Sequence, residues 1–267
     1  MDNQKLQELK KYLTNLKRVA IAYSSGVDST FLLKVSHEIL KDNVVAITAR
    51  SCSFPKRELD EAVKFCRENS IKHIIVDSEE LEIEGFKNNP PNRCYLCKKE
   101  LFSKIKQIAK ENNIENIIEG SNIDDEGDYR PGMIAIKELD IKSPLKELGF
   151  TKKEIREFSK NLGLKTASKQ SFACLSSRFP YGEEITKEKL NMVDKSEQFL
   201  LDLGFNQLRV RIHGNNLARI EVLPEEFEKL ILNRKDIVTK LKEIGFKYIS
   251  MDIEGYRTGS MNETLNS

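Results

Sequence analysis

Arg18-Val19-Ala20-Ile21-Ala22-Tyr23-Ser24-Ser25-Gly26-Val27-Asp28-Ser29-Thr30 is the stretch on which the reading of the chain turns. Its first half is a short, nearly continuous apolar run, which predicts a buried strand. A Ser/Gly turn follows, and a helix is expected from about Asp28 to Leu40. Hydroxyls and a glycine at a strand-to-helix junction turn backbone N–H groups toward an anion, and the positive end of the helix dipole points the same way. Ser29 and Thr30 add hydroxyl donors. Asp28 is poorly suited to hold phosphate and well suited to hold a Mg²⁺ that bridges phosphates. Asp and Ser are also common helix N-caps, so an ordinary capped helix is the alternative. The Gly-Lys-Ser/Thr ending of a Walker A loop is absent.

Upstream, Leu6, Leu9, Leu13 and Leu16 recur at helical spacing and predict an amphipathic helix over 4–17. Downstream, Val44–Thr48 reads as a second strand, Pro55 opens a helix to about Asn69, and Ile74–Val76 is a third strand. A helix over about 98–111 and a fourth strand at Asn116–Glu119 follow. Strands alternating with helices predict an α/β fold with a parallel sheet, with ligands held at the carboxyl ends of the strands. After about residue 183 the pattern changes. Asn206–Ile212 and Leu217–Val222 alternate polar and apolar residues across a His213-Gly214-Asn215-Asn216 turn, and two helical segments and a strand near Tyr248 follow. The expected organisation is residues 1–183 as the nucleotide domain and 184–267 as a smaller α+β domain. The tail beyond Gly259 is polar and expected to be loose.

Length and charge narrow the classes. The 267 residues suffice for one large or two modest domains, with 39% hydrophobic and 32% charged residues and a net charge of +2. Bulk charge does not argue for nucleic acid, and any anion site must be local. No apolar run is long enough to span a membrane, and no secretory signal opens the sequence, so the expected location is the cytoplasm. The five cysteines are then expected as thiols or metal ligands rather than disulfides.

Cys94-Tyr95-Leu96-Cys97 precedes the helix expected at 98–111, and Cys174 lies far downstream. Two sulfurs at this spacing can grip one metal centre. Three thiolates suit a [4Fe–4S] cluster with one iron not held by protein, where a sulfide could bind. Zinc with a fourth ligand elsewhere, or metal-free thiols, are the alternatives. Cys66, on a helix with Val63, reads as core; Cys52 has no evident role. His37, His73 and His213 sit in no ligand-spaced motif.

Ser24–Ser29 resembles the Ser-Gly-Gly-x-Asp-Ser signature of the PP-loop ATP-pyrophosphatase superfamily, with Ser25 in place of one glycine. That resemblance implies an ATP site at Ser24, Ser25, Gly26, Asp28 and Ser29. Gly120–Asp125, Gly127–Gly132, Ser143-Pro144-Leu145, Ser176–Gly182, Arg209-Val210-Arg211 and Gly255–Gly259, taken in this order, resemble the LarE family of sulfur transferases over nearly the whole chain. The resemblance implies a pyridinium biscarboxylic acid mononucleotide whose carboxylates are adenylated by ATP and converted to thiocarboxylates, in nickel-pincer nucleotide biosynthesis. It also implies ATP/Mg²⁺ contact at Arg130, substrate contact at Ser177, Arg178, Glu197, Arg209 and Arg211, and a homo-oligomer supplied by an outside sulfide source. The physical reading agrees for Arg209 and Arg211. Two apart on a strand, they share one face and can clamp a phosphate. Glu197, taken alone, reads as solvated helix surface.

The family has two kinds, one sacrificing the sulfur of a single cysteine and one holding a cluster on three. Cys94, Cys97 and Cys174 match the second, and Cys174 lies four residues before Arg178, one fewer than in the sacrificial kind. The main rival is a tRNA thiolation enzyme of the same superfamily. A synthetase using ammonia would give the cysteines no purpose, and a metal-binding module without catalysis would not need Asp28 and Ser29.

Overall fold

The computed structural model describes residues 3–125, 131–170 and 173–265. Arg130 and the Gly127–Tyr129 part of its motif lie outside the described residues, as do Ser171 and Phe172. The chain divides into two units, the first comprising Met1–Ser78 and Cys94–Phe172, the second Glu79–Arg93 and Ala173–Ser267.

The first unit runs α1 (Asn3–Leu16), β1 (Val19–Ala22), α2 (Val27–Leu40), β2 (Val44–Arg50), α3 (Lys56–Glu68), β3 (Lys72–Asp77), α4 (Arg93–Glu111) and β4 (Asn116–Ile118), then α5 (Gly132–Glu138), α6 (Pro144–Glu147) and α7 (Lys152–Asn161). The four strands form a parallel sheet in the order β3-β2-β1-β4. This is the α/β architecture read from the sequence. Successive residues of a strand point to opposite faces, and β1 shows it. Val19 and Ile21 pack with Leu9, Phe31 and Phe158 from α1, α2 and α7. Ala20, between them, packs with Phe102, Ile105 and Ile136 from α4 and α5 on the other face. Both faces are therefore covered, as a parallel sheet requires. After β1 the chain moves outward through β2 and β3, then returns to add β4 on the other side of β1. The carboxyl ends of β1 and β4 are thus the switch point, where ligands bind in such sheets.

In the second unit, α8 (Lys187–Asp202) precedes a hairpin of β5 (Leu208–His213) and β6 (Leu217–Val222). Then α9 (Phe227–Leu232) and α10 (Arg234–Ile244) carry the chain to β7 (Tyr248–Met251), which lies parallel to β6. The sheet order is β5-β6-β7. Val210, Ile212, Ala218, Ile220 and Val222 are buried with Leu190, Val193 and Leu200 of α8.

The division falls elsewhere than 183/184. Residues 79–93 and 173–183 group with the second unit. The reason lies in backbone bonds that tie them into it: Gly182 N–H donates to Asn89 O (3.0 Å) and Ile185 N–H to Lys87 O (2.9 Å). Cys66 is buried in the first core, as its helix spacing suggested, and burial pushes its thiol up to about 12. Cys52 lies half-buried in the loop after β2. No described helix is long and apolar enough to cross a membrane.

Candidate functional site

The turn between β1 and α2 is not an ordinary capped helix start. The N-cap is Gly26, and no side chain caps the helix. The first helical bond is Thr30 N–H to Gly26 O (2.9 Å), which leaves the N–H groups of the first turn without helical acceptors. Ser29 Oγ lies 3.1 Å from Ser24 Oγ and 3.2 Å from Gly26 O, so two hydroxyls converge at the turn. Ser25 is buried with φ of 53°, in the left-handed region. Glycine takes that conformation without strain, which accounts for the glycine of the superfamily signature. Across the switch point, Gly120 follows β4 so closely that a Cβ there would sit 2.9 Å from Ser29 N. Only a residue without a side chain lets the two chain segments meet.

Asp28 is in the first turn of α2, and its Oδ2 accepts from Lys152 Nζ at the start of α7. Its other oxygen, Oδ1, is buried and has no hydrogen-bond partner among the described residues. Burial raises the carboxyl's pKa, nearby Asp125 adds to the rise, and Lys152 opposes it. A desolvated carboxylate oxygen without a donor fits a hard divalent cation, so Asp28 fits the Mg²⁺ role.

The helix bearing the cysteine pair starts at Arg93, not near 98. Pro90 and Pro91, which lack N–H groups, end the preceding segment, and the helix begins at Arg93 after one further turn residue, Asn92. Cys94 and Cys97 therefore lie inside the first turns of α4, three apart and on one helix face. Cys94 is exposed and Cys97 half-buried. Such a pair fits two corners of a metal centre. Cys174, exposed, belongs to the second unit and opens the short turn Leu175–Arg178. Among the described residues no group of three His, Cys, Asp or Glu side chains is gathered to hold a metal ion.

In the second unit the expected substrate residues do come together. Arg178 is fully buried and forks onto Glu197, with Nε to Oε1 at 2.8 Å and Nη2 to Oε2 at 2.9 Å. Its Nη1 donates to Ala173 O (2.8 Å), Cys174 O (3.3 Å) and Ser177 Oγ (2.8 Å). Glu197 is thus a core carboxylate rather than helix surface. Burial pushes its pKa up, but Arg178, Arg209 and the Val210 N–H outweigh that and hold it below the usual range. In this structure the anion held by Arg178 is Glu197.

Arg211 forks onto buried Glu221 and donates from Nη1 to Ser177 O (2.9 Å) and from Nη2 to Ser260 Oγ (2.7 Å). Arg209, on the same strand, lies over the ring of Tyr256 at 5.0 Å. Desolvation and the like charge of Arg178 pull its pKa down to about 10, with Glu197 opposing them.

Several residues of these arrangements escaped the sequence reading. Glu221 had a usable signal: the hairpin turn fixes the register, and Glu221 falls directly opposite Arg209. Lys152 lies inside a Thr151/Glu154 capping box, visible as Thr-x-x-Glu. Asn89 and Arg93 had no local signal. Asn89 Nδ2 donates to Phe179 O (3.1 Å) and Pro180 O (2.6 Å), and Arg93 Nη1 to Ser176 O (3.0 Å), so both brace the turn after Cys174.

Comparison with known proteins places the chain among relatives of near-equal length. It is 43% identical over 267 residues to a Synechocystis protein described as uncharacterized, covering 99% of both chains. It is 36% identical over 254 residues to the pyridinium-3,5-bisthiocarboxylic acid mononucleotide synthase of Lactiplantibacillus plantarum, covering 95% of this chain and 92% of that one. A more distant relative, from the glutamine-hydrolysing GMP synthase of Thermoplasma acidophilum, is 26% identical over 200 residues, 69% of this chain and 64% of that one. No protein-family model matches.

Proposed function

The chain belongs to the LarE family within the PP-loop ATP-pyrophosphatase superfamily, and from that membership we propose that it is an ATP-dependent sulfur transferase acting on pyridinium-3,5-biscarboxylic acid mononucleotide. The observation that carries the reading is the turn at Ser24–Ser29: two converging hydroxyls, open helix N–H groups, and an Asp28 oxygen without a donor. The synthase of L. plantarum, similar over almost the whole chain, supports the choice of substrate.

ATP binds with its phosphates on Ser24, Ser25, Gly26 and Ser29, and with Arg130 contributing. Asp28 would hold Mg²⁺, which would supply charge neutralisation at the phosphates. A substrate carboxylate oxygen attacks the α-phosphorus, the bond to pyrophosphate breaks, and an acyl adenylate forms. Open N–H donors stabilise the negative charge as it develops. Sulfur then attacks the activated carbonyl carbon, the carbon–oxygen bond breaks, and AMP leaves with both bonding electrons. Arg209 and Arg211 receive the substrate phosphate beside Ser177, and the Arg178–Glu197 pair holds the Ser177 turn in place. Cys94, Cys97 and Cys174 are the residues that would hold a [4Fe–4S] cluster, and the cluster would supply an iron site for sulfur delivered by an outside sulfide source. The protein works in the cytoplasm as a homo-oligomer.

The test is anaerobic turnover of ATP–Mg²⁺, sulfide and the dicarboxylate mononucleotide by the wild type and by Cys97→Ala. The wild type releases AMP and pyrophosphate and forms thiocarboxylate. Cys97→Ala loses the cluster absorbance and the sulfur transfer but retains adenylation. Thiocarboxylate formation by cluster-free protein rejects the cluster, and absence of AMP rejects the adenylation.

A further inference from the structure

We infer that Glu58 and Lys169 are a positioning pair that holds Ser25 of the phosphate loop in its left-handed turn, and that nucleotide affinity depends on them. The inference rests on the reading of that loop as the ATP site. Ser25 has φ of 53°, a conformation that a residue with a Cβ takes at a cost. A serine there needs local bonds to keep it, and three groups supply them. Ser25 Oγ lies 3.0 Å from Glu58 Oε2 and 3.1 Å from Glu58 O, and donates to them. Lys169 Nζ donates to the same Glu58 Oε2 at 2.6 Å, and to Ser25 O and Ser25 Oγ at 3.3 Å each. The three groups form a closed ring, with Glu61 as a second carboxylate on the ammonium.

Glu58 is 5% exposed, so its charge requires a partner, and Lys169, 111 residues away in sequence, is that partner. The ring also fixes a direction. In a trans peptide the carbonyl and the following N–H point to opposite sides. With Ser25 O on Lys169, the Gly26 N–H is turned to the opposite side of the peptide bond, within the same plane. A loop that binds phosphate through its N–H groups depends on that orientation.

With glycine at position 25 the left-handed turn needs no such support. The pair should therefore matter in the native sequence and matter far less in a Ser25→Gly background. The experiment is calorimetric titration of the full-length protein with Mg²⁺ and α,β-methylene-ATP, with thermal melting as the folding control. Lys169→Met is expected to weaken binding about tenfold, as for loss of charge-assisted hydrogen bonds, and Lys169→Arg to retain it within about threefold. In the Ser25→Gly background Lys169→Met should weaken binding less than about threefold, the mark of coupled sites. Unchanged affinity in Lys169→Met, or an equal loss in both backgrounds, overturns the inference. Should Lys169→Met not fold, Ser25→Ala removes the hydroxyl alone, and unchanged affinity there overturns it too. A wild type that binds no nucleotide analogue overturns the ATP reading itself, a result distinct from all of these.

Discussion

Asp28 in the first unit and Glu197 in the second are both carboxylates largely withdrawn from water, and their proton affinities move in opposite directions. Asp28 is held above its ordinary 3.8, by burial first and by Asp125, against the pull of Lys152. Glu197 is held below its ordinary 4.5, because Arg178, Arg209 and a backbone N–H outweigh its burial. The signs carry through to stability. An acid with a raised folded pKa makes the fold lose stability as pH rises from its unfolded value through its folded one. Ionised Asp28 therefore weakens the fold at neutral pH. An acid with a depressed folded pKa contributes stability that is present above its unfolded value and is lost as pH falls through its folded one, and that is Glu197. A charge kept against the interest of the fold is one that a bound cation would relieve, which accords with the role proposed for Asp28. A charge matched by a forked arginine marks architecture, and here that architecture lies next to Ser177 and Arg209, for which substrate contact is proposed.

The comparison breaks most readily at Glu197. Glu197→Ala leaves a guanidinium that is 0% exposed without its carboxylate, and is expected to lower unfolding free energy by about 3–5 kcal/mol in urea titration. The difference from wild type should shrink as pH falls below 4.5 through the depressed folded value. Next is Asp28→Asn. Release of AMP and pyrophosphate should fall by about 10²–10³-fold while the melting temperature at neutral pH stays level or rises. A marked loss of stability instead would place Asp28 with Glu197 and abolish the contrast. Smallest is Gly120→Ala. The added Cβ meets the Ser29 backbone, so strain of about 1–3 kcal/mol is expected in thermal melting, together with weaker ATP binding. A neutral result would show that the start of α2 can retreat without loss.

How much of this could be read in the chain depended on distance along it. β1, the Ser24–Ser29 turn and α2 were legible because pattern, turn chemistry and helix start lie within a short window. The four strands and the β5–β6 hairpin were legible for the same reason. The start of α4 was misplaced because the Cys-x-x-Cys motif was read as lying just before the helix, although Pro90 and Pro91 mark the boundary more closely. Glu197 could be read locally only as surface; its burial comes from Arg178, 19 residues earlier, and from the β5 backbone. The Asn89 and Arg93 bonds to the turn at 176–180 and the Lys169–Glu58 pair span 83 to 111 residues, and no periodicity announces them. The left-handed Ser25 was visible only as a missing glycine, and its compensation only in three dimensions.

The path of the chain has a consequence for descent. The second unit is assembled from two stretches, Glu79–Arg93 and Ala173–Ser267, with Cys94–Phe172 of the first unit between them. No single crossover in a gene can carry that unit whole onto another scaffold, since a terminal graft would leave Asn89 and Arg93 behind and strip the brace from the turn after Cys174. End-to-end fusion alone therefore cannot transfer the second unit intact; that would take an exchange at both of its stretches.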